Sequence, residues 1–227
     1  MERQRERDSV EFTKMRNELL ESNYNNLKDL YETNSMLFHD FKNHIIVIKE
    51  LAYENNLEEL KRYISGFELK DRQGVDEFWT EDKVVNFILN NKISAARQIG
   101  IHVNANIDYP VKSNINSNDM TTILANLFDN AIEACNQIPN DGMRKIDLTI
   151  RRINEMLIVK MENSCNEKPI LKENTFITLK ANKNFHGWGL RSVESAAEKY
   201  GGLLKCSYDQ EREIFRAVLS MTFRGQM

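Results

Sequence analysis

The feature that most constrains the fold is a long segment near the start of the chain. Residues 10–53 contain neither proline nor glycine, and their apolar side chains recur at steps of 3, 4 and 7. A heptad frame with Leu27 at position a and Leu30 at position d continues to the end of the segment and is interrupted mainly by Asn23 and Asn34. A helix with so narrow an apolar stripe buries it only against another helix, so the segment requires a helical partner. The stripe consists of Leu20, Leu27, Leu30, Leu37, Phe41, His44, Ile48 and Leu51.

A second, shorter helix is predicted after this segment. The sequence "YENN" at residues 53–56 is typical of a turn, and "LEELKRYISGF" at residues 57–67 has helical spacing. Two such helices form a hairpin, and the apolar seam left on the longer one predicts a homodimer in which two hairpins make a four-helix bundle. We therefore expect a helical-hairpin dimerisation domain over residues 1–74.

The sequence pattern changes after the polar connector "KDRQGVD" at residues 70–76. Helices then alternate with strands that mostly follow one another, which is typical of an α/β sandwich with helices on one face of a mixed sheet. Residues 163–186 are polar and irregular, and a loop of this length indicates a lid. The whole chain is thus predicted to be α+β, with the sandwich over residues 75–227. The predicted helices cover residues 80–100, 119–137 and 187–200, and the predicted strands cover 101–108, 146–152, 156–162, 203–208 and 213–222.

Composition argues against several classes of protein. The 227 residues carry a formal net charge of −3, whereas nucleic-acid binding needs a basic surface. Cys135, Cys165 and Cys206 are widely spread and form no CxxC pair, so we expect reduced thiols and no zinc site. No apolar run reaches the ~18 residues that span a membrane, and the charged start "MERQRERDSVEF" lacks a signal-peptide pattern. The chain is expected to be cytoplasmic, either as a whole or as the cytosolic part of a longer protein.

The stretch "LFHDFKNHIIVI" at residues 37–48 contains two histidines with different heptad positions. His44 falls at d, where a neutral, hydrogen-bonded histidine inside the seam is expected, and His39 falls at the outward position f. A spacing of five places the two rings poorly for one metal ion. An f-position histidine is usually only solvated, but Asp40 can orient the imidazole and take its proton, which makes a ring nitrogen nucleophilic. Asn43, one turn further on, can hydrogen-bond a group on that ring.

The stretch "TTILANLFDNAIEACNQ" at residues 121–137, within the predicted helix 119–137, has one face rich in amides and carboxylates. A solvated side of an ordinary amphipathic helix is the simpler interpretation. Oxygen donors at this density, without lysine or arginine among them, also suit magnesium held jointly with phosphate oxygens. The polar positions are Asn126, Asp129, Asn130, Glu133 and Gln137.

A glycine pair opens the last predicted helix, in "NFHGWGLRSVESAAEKYGG" at residues 184–202. Gly187 and Gly189 at a helix start allow backbone N–H groups to approach an anion. Lysines in the preceding loop could reach phosphates, and a solvated loop explains them nearly as well. They are Lys172, Lys180 and Lys183.

Taken together, these stretches resemble the sensor histidine kinases of two-component signalling, within the gyrase, Hsp90, kinase and MutL superfamily. "HDFKNH" (39–44) is similar to the phosphoacceptor box of the quorum-sensing and peptide-sensing branch. "NLFDNAIEA" (126–134) resembles the asparagine box, and "HGWGL" (186–190) the glycine box that closes the ATP lid. The resemblance extends over nearly the whole chain from about Leu20 onward.

The resemblance implies roles for individual residues. His39 is the phosphorylated histidine, Asp40 the acid/base beside it, and Asn43 the residue that positions water for phosphatase activity. Asn130 holds magnesium. The implied ATP-binding residues are Asn126, Asn130, Asn163, Lys180, Lys183, Gly187, Trp188, Gly189 and Leu190.

The sequence lacks one motif of the family, and at Asn126 it differs from the ATPases of the superfamily. The usual DxGxG motif is replaced by "MENSCNE" (161–167), where Asn163 occupies the aspartate position and its amide oxygen can still accept a hydrogen bond from the adenine amino group. The ATPases of the superfamily carry a glutamate at the position of Asn126. Because an amide is no base, this site is expected to hold ATP until His39 attacks.

The expected function is therefore an ATP-dependent protein-histidine kinase that passes the phosphoryl group from His39 to an aspartate of a response regulator, with phosphatase activity as an addition. The expected partners are ATP with Mg²⁺, the response regulator and a second copy of the chain, but no nucleic acid, and a membrane only through a segment outside this chain. Two alternatives are an ATP-independent histidine phosphotransferase with a degenerate nucleotide domain and a non-catalytic coiled-coil dimer scaffold.

Overall fold

The structure is a computed structural model with two compact units, Met1–Asp71 and Arg72–Met227, which are described separately below. Within the described residues, no helix combines the length and the apolar character needed to cross a membrane. Side chains are not described for 170–172, 175–177 and 188. The described residues are 16, 21–22, 24–25, 28, 32, 35–36, 38–66, 77–110, 113–139, 142–166, 170–172, 175–177 and 188–223.

The first unit contains two helices joined by a tight turn. Residues 38–53 form helix α1, and helix α2 covers Leu57–Ser65. Asn55 adopts a positive φ of 54° in the turn, and the Asn56 side chain caps α2 by accepting a hydrogen bond from the backbone N–H of Glu59. The side chains of the two helices meet where His44 Nδ1 lies 2.8 Å from the Tyr63 hydroxyl.

Only part of the predicted heptad stripe falls within the described residues. Leu20, Leu27, Leu30 and Leu37 lie outside them. In the single chain the Phe41 side chain is 63% exposed, and His44 is exposed apart from its contact with Tyr63. Homodimerisation through this stripe stays a prediction.

The second unit is built on a five-stranded mixed sheet in the order β1-β2-β3-β7-β6. Strand β1 runs parallel to β2, and the other neighbouring pairs are antiparallel, which confirms the predicted mixed sheet. Its helices are α3 (Lys83–Gln98), α4 (Ser117–Asn136) and α5 (Trp188–Glu198), and its strands are β1 (His102–Ile107), β2 (Lys145–Ile153), β3 (Met156–Ser164), β4 (Ile170–Lys172), β5 (Thr175–Ile177), β6 (Leu203–Asp209) and β7 (Ile214–Thr222).

One part of the predicted loop over residues 163–186 is more regular than expected. Strand β3 continues to Ser164, and β4 and β5 form a separate antiparallel pair. Short strands without a clear alternating pattern carry little sequence signal, so their pairing was not predicted.

The core lies between one face of the sheet and the three helices α3, α4 and α5. Alternate residues of β2 and β3 are buried, as expected for strands with one covered face. The apolar stripe that the sequence pattern gives α4 is buried apart from the half-buried Ile132, and the polar stripe lies on the other side of the helix. The apolar stripe consists of Ile123, Leu124, Leu127, Phe128, Ala131 and Ile132. The buried residues of α4 are Met120, Ile123, Leu124, Leu127, Phe128, Ala131 and Cys135.

Candidate functional site

The polar stripe of α4 contains two asparagines one turn apart with different environments. Asn126 Nδ2 donates a hydrogen bond to the backbone oxygen of Thr122 over 2.8 Å. The Nδ2 atom of Asn130 is buried and has no hydrogen-bond partner among the described residues. A buried amide N–H without a partner costs free energy, so Asn130 is the side chain of this stripe best prepared to receive a ligand.

Gly189, in the first turn of α5, lies directly against these two asparagines. A Cβ at this position would be 3.2 Å from Asn126 Oδ1 and 3.5 Å from both Nδ2 and Oδ1 of Asn130. Leu190 beside it is 8% exposed and anchors the start of α5 in the core. The structure thus brings the asparagine-rich and glycine-containing segments together, and the absence of a side chain at residue 189 permits the close approach.

A cation from another helix contacts the polar stripe of α4 at one position. Lys92 of α3 places its Nζ 2.5 Å from Asp129 Oδ1. Asp129 is therefore committed to an ion pair and is not available as a simple oxygen donor for a metal ion. Sequence reasoning missed Lys92 because it considered charges within the helix, whereas this cation comes from a neighbouring one.

Asn163 stands at the end of β3 on the face that is covered by the helices. It is 4% exposed. Buried and half-buried residues alternate along β3, so its side chain lies on the same face of the sheet as that of the buried Met161. Its Nδ2 donates to the backbone oxygen of Ser164 over 2.9 Å. No described residue donates to its Oδ1, so this oxygen can accept a hydrogen bond from a ligand.

His39 lies on the surface of α1, with 73% of its side chain exposed. Its Nδ1 is 3.5 Å from Asp40 Oδ1 and 3.3 Å from Asn43 Nδ2. The proton position on the ring decides whether Asn43 turns its NH₂ group or its oxygen toward Nδ1. Both neighbours contact the same ring nitrogen, and Nε2 has no partner among the described residues.

Four of the predicted ligand-binding positions cannot be located in full. Lys180, Lys183 and Gly187 lie outside the described residues. The backbone of Trp188 begins α5, and its side chain is not described.

The three cysteines are free thiols, as predicted. Burial raises the pKa of the Cys135 thiol to about 11 and that of Cys206 to about 12. Both thiols are therefore protonated at neutral pH and poor nucleophiles, which leaves them as packing residues.

Parts of the chain are similar to known proteins. No curated protein sequence matches the chain. Among solved structures, the catalytic domain of histidine kinase ThkA is 20% identical with a TM-score of 0.49, covering 65% of this chain and 96% of that one. The histidine kinase AdeS of Acinetobacter baumannii is 16% identical with a TM-score of 0.45, covering 75% of this chain and 82% of that one. Full-length ShkA in complex with AMPPNP is 14% identical with a TM-score of 0.47, covering 63% of this chain and 30% of that one.

The family model of the GHKL domain matches residues 115–222. This segment contains the asparagine pair of α4 and Gly189, which carried part of the resemblance in the sequence, and Asn163, at which the sequence departs from it. The match concerns the domain type and not the quorum-sensing branch, which stays a prediction. Residues 115–222, which form part of the second unit, are therefore similar to GHKL domains.

Proposed function

We propose that the chain is the kinase core of a sensor histidine kinase, which transfers the γ-phosphoryl group of ATP to His39 and then to an aspartate of a response regulator. The observation that carries this proposal is the contact of Gly189 with Asn126 and Asn130 within the GHKL domain, beside the unpartnered Nδ2 of Asn130. The backbone at Gly189 lies close to two side-chain amides that can bind a ligand, and a nucleotide site requires both features.

The donor set of α4 fits magnesium bound together with a nucleotide. Amide oxygens are hard donors, and Mg²⁺ takes few protein ligands when phosphate oxygens supply the others. In this proposal Asn130 holds the ion, and Asn163 accepts a hydrogen bond from the adenine amino group. Magnesium, when bound, neutralises charge on the phosphate oxygens.

The amide at residue 126 supports a kinase rather than an ATPase. Hydrolysis needs a group that takes a proton from water, and an asparagine side chain has no such basicity at neutral pH. Asn126 also uses its Nδ2 to bond the backbone oxygen of Thr122, which holds the side chain in place. ATP bound beside it would therefore persist until the histidine attacks.

The exposed ring of His39 supports its role as the acceptor. In the proposed step the Nε2 lone pair forms a bond to the γ-phosphorus, and the bond between that phosphorus and the bridging oxygen of ADP breaks. Positive charge develops on the ring, and Asp40, 3.5 Å from Nδ1, stabilises it and can accept the Nδ1 proton. Asn43 is proposed to position the water that hydrolyses the aspartyl phosphate of the regulator in the phosphatase reaction.

The test is incubation of the chain with γ-labelled ATP and magnesium. We expect an acid-labile, base-stable phosphate that peptide mass spectrometry maps to His39. His39→Gln should lose the label without a loss of thermal stability, because an exposed side chain contributes little to packing. His102→Gln, at an exposed position of β1, is the matched control and should label like the parent.

Two results would contradict the proposal. Phosphate on His44, His102 or His186 would show that the acceptor is wrong. A protein that binds no Mg-ATP in a titration, but accepts phosphate on His39 from a phosphorylated regulator, would be a nucleotide-independent phosphotransferase. Asn130→Ala should weaken Mg-ATP binding in a folded protein if the proposed site is correct.

A further inference from the structure

The ion pair between α3 and α4 adjoins the proposed nucleotide site without belonging to its ligand set. Lys92 Nζ lies 2.5 Å from Asp129 Oδ1, and Asp129 immediately precedes Asn130 on α4. The lysine side chain is 19% exposed, whereas that of Asp129 is 61% exposed. A carboxylate thus stands at the surface next to the amide that is proposed to bind the nucleotide, and a largely covered lysine neutralises it.

The position of this carboxylate creates an electrostatic problem for a nucleotide. Residues three apart on a helix share a face, so Asp129 lies on the same side of α4 as Asn126. A polyphosphate bound beside Asn126 would come close to Asp129. Repulsion between like charges near a protein surface is strong enough to change a dissociation constant several-fold.

We propose that Lys92 controls nucleotide binding through Asp129, by cancelling the carboxylate charge that would otherwise repel the phosphate chain. Without Lys92, the unpaired carboxylate would weaken the binding of a nucleotide more strongly the more negative its phosphate chain is. Lys92 is a positioning residue in this proposal and does not contact the phosphates itself. The inference rests on the proposed function, because it requires a nucleotide at Asn130.

The test measures the binding of Mg-ATP, Mg-ADP and adenosine to the full chain by isothermal titration at low salt. Lys92→Met should raise the Kd for Mg-ATP about five- to tenfold, because it leaves Asp129 unpaired. The effect should be smaller for Mg-ADP, absent for adenosine and reduced at high ionic strength, since salt screens the charge at the surface. Asp129→Asn should bind Mg-ATP at least as tightly as the parent.

The double variant Lys92→Met/Asp129→Asn separates this mechanism from its competitors. We expect it to recover the parent affinity for Mg-ATP, because no unpaired charge remains. A double variant as weak as Lys92→Met would mean that the lysine contacts the phosphates directly, which overturns the proposal. An equal loss of adenosine binding in Lys92→Met would mean that the pair only holds α3 against α4.

Thermal unfolding of each variant shows whether the domain is folded. If Lys92→Met does not fold, Lys92→Arg tests the proposal in its place. The arginine variant keeps the charge and should bind Mg-ATP like the parent, whereas a direct phosphate contact that needs the compact ammonium group would not survive it unchanged. If the parent itself binds no Mg-ATP, the proposed function fails together with this inference. If the parent binds and the Lys92 and Asp129 variants do not differ from it, only the inference fails.

Discussion

At the scale of single residues, Gly189 is expected to tolerate a side chain poorly. A Cβ at this position would lie 3.2 Å from Asn126 Oδ1, so Gly189→Ala requires that side chain to shift, and the Cβ would be in van der Waals contact with the amide of Asn130 at 3.5 Å. We expect Mg-ATP binding to weaken about tenfold, equivalent to about 1.4 kcal/mol, as measured by titration.

Thermal stability provides an independent readout for Gly189→Ala. Alanine favours a helix over glycine by up to about 1 kcal/mol, so the variant should not unfold at a lower temperature than the parent. Glu194→Ala, at an exposed position of the same helix, is the control and should leave nucleotide binding unchanged. A Gly189→Ala protein that binds Mg-ATP normally would contradict the placement of the site between α4 and α5.

At the scale of secondary-structure elements, α3 fastens the extended segment that precedes it through two asparagine side chains. Asn90 accepts a hydrogen bond from the backbone N–H of Glu77 over 2.9 Å and donates to the backbone oxygen of the same residue over 2.8 Å. Asn86 accepts from the N–H groups of Trp79 and Thr80. In a sheet, a neighbouring strand would supply hydrogen-bond partners to these backbone groups. Here the two asparagine amides supply them instead.

Removal of one of these amides should be costly. Asn90 is 8% exposed, and Asn90→Ala leaves the polar groups of Glu77 without their partners. We expect a loss of about 1–3 kcal/mol in the free energy of unfolding, measured by urea denaturation. Asn91→Ala is the matched control, because this neighbouring residue is exposed, and it should change stability by less than about 0.5 kcal/mol. Equal effects of the two substitutions would argue against the fastening role.

Asp119, near the start of α4, is hydrogen-bonded to the two residues that follow α5, and these bonds predict that the stability of the protein depends on pH. Lys199 Nζ donates to Asp119 Oδ1 over 2.6 Å, and the Tyr200 hydroxyl donates to Asp119 Oδ2 over 2.7 Å. These two hydrogen bonds lower the pKa of Asp119 below its ordinary value of 3.8. A carboxylate with a lowered folded-state pKa stabilises the protein above its unfolded pKa, and the stabilisation disappears as the pH falls through the folded value.

The difference in unfolding free energy between the parent and Asp119→Asn should therefore be largest near neutral pH and should shrink below about pH 4. Urea denaturation over a series of pH values measures it. Asp108→Asn provides the comparison, because the Asp108 side chain makes no ion pair among the described residues. A difference for Asp119→Asn that stays constant with pH would exclude the ionised carboxylate as its cause.

At the scale of the whole molecule, the heptad stripe leads to a prediction about assembly. The described part of α1 leaves apolar side chains such as Phe41 largely exposed in the single chain, which is unfavourable unless another surface covers them. We expect a homodimer in sedimentation at micromolar concentration. Leu30→Asp should weaken it by placing a charge in the seam, and Glu32→Ala, at the outward f position, should not. A parent protein that sediments as a monomer would refute the dimer.

The sequence by itself determined the identity of most elements and of most proposed ligand residues. The amphipathic pattern predicted α4 and its polar face, and Gly100, which adopts a φ of 79°, marked the end of α3. Such signals are local, because a helix face or a left-handed turn depends on residues within a turn or two of each other. Residue-type logic likewise singled out Asn130 and Gly189, and the family resemblance singled out Asn163, before any contact between them was known.

Only the tertiary structure decided which of these segments meet. The contact of Gly189 with Asn130, the ion pair of Lys92 with Asp129 and the bond of Tyr200 with Asp119 each join distant parts of the chain. Their partners are set by the strand order β1-β2-β3-β7-β6 and by how the helices pack on that sheet. A periodic pattern records which face of an element is apolar, but it does not record which element covers that face. For this reason the ion pair of Lys92 on the polar face of α4 became evident only in the folded domain.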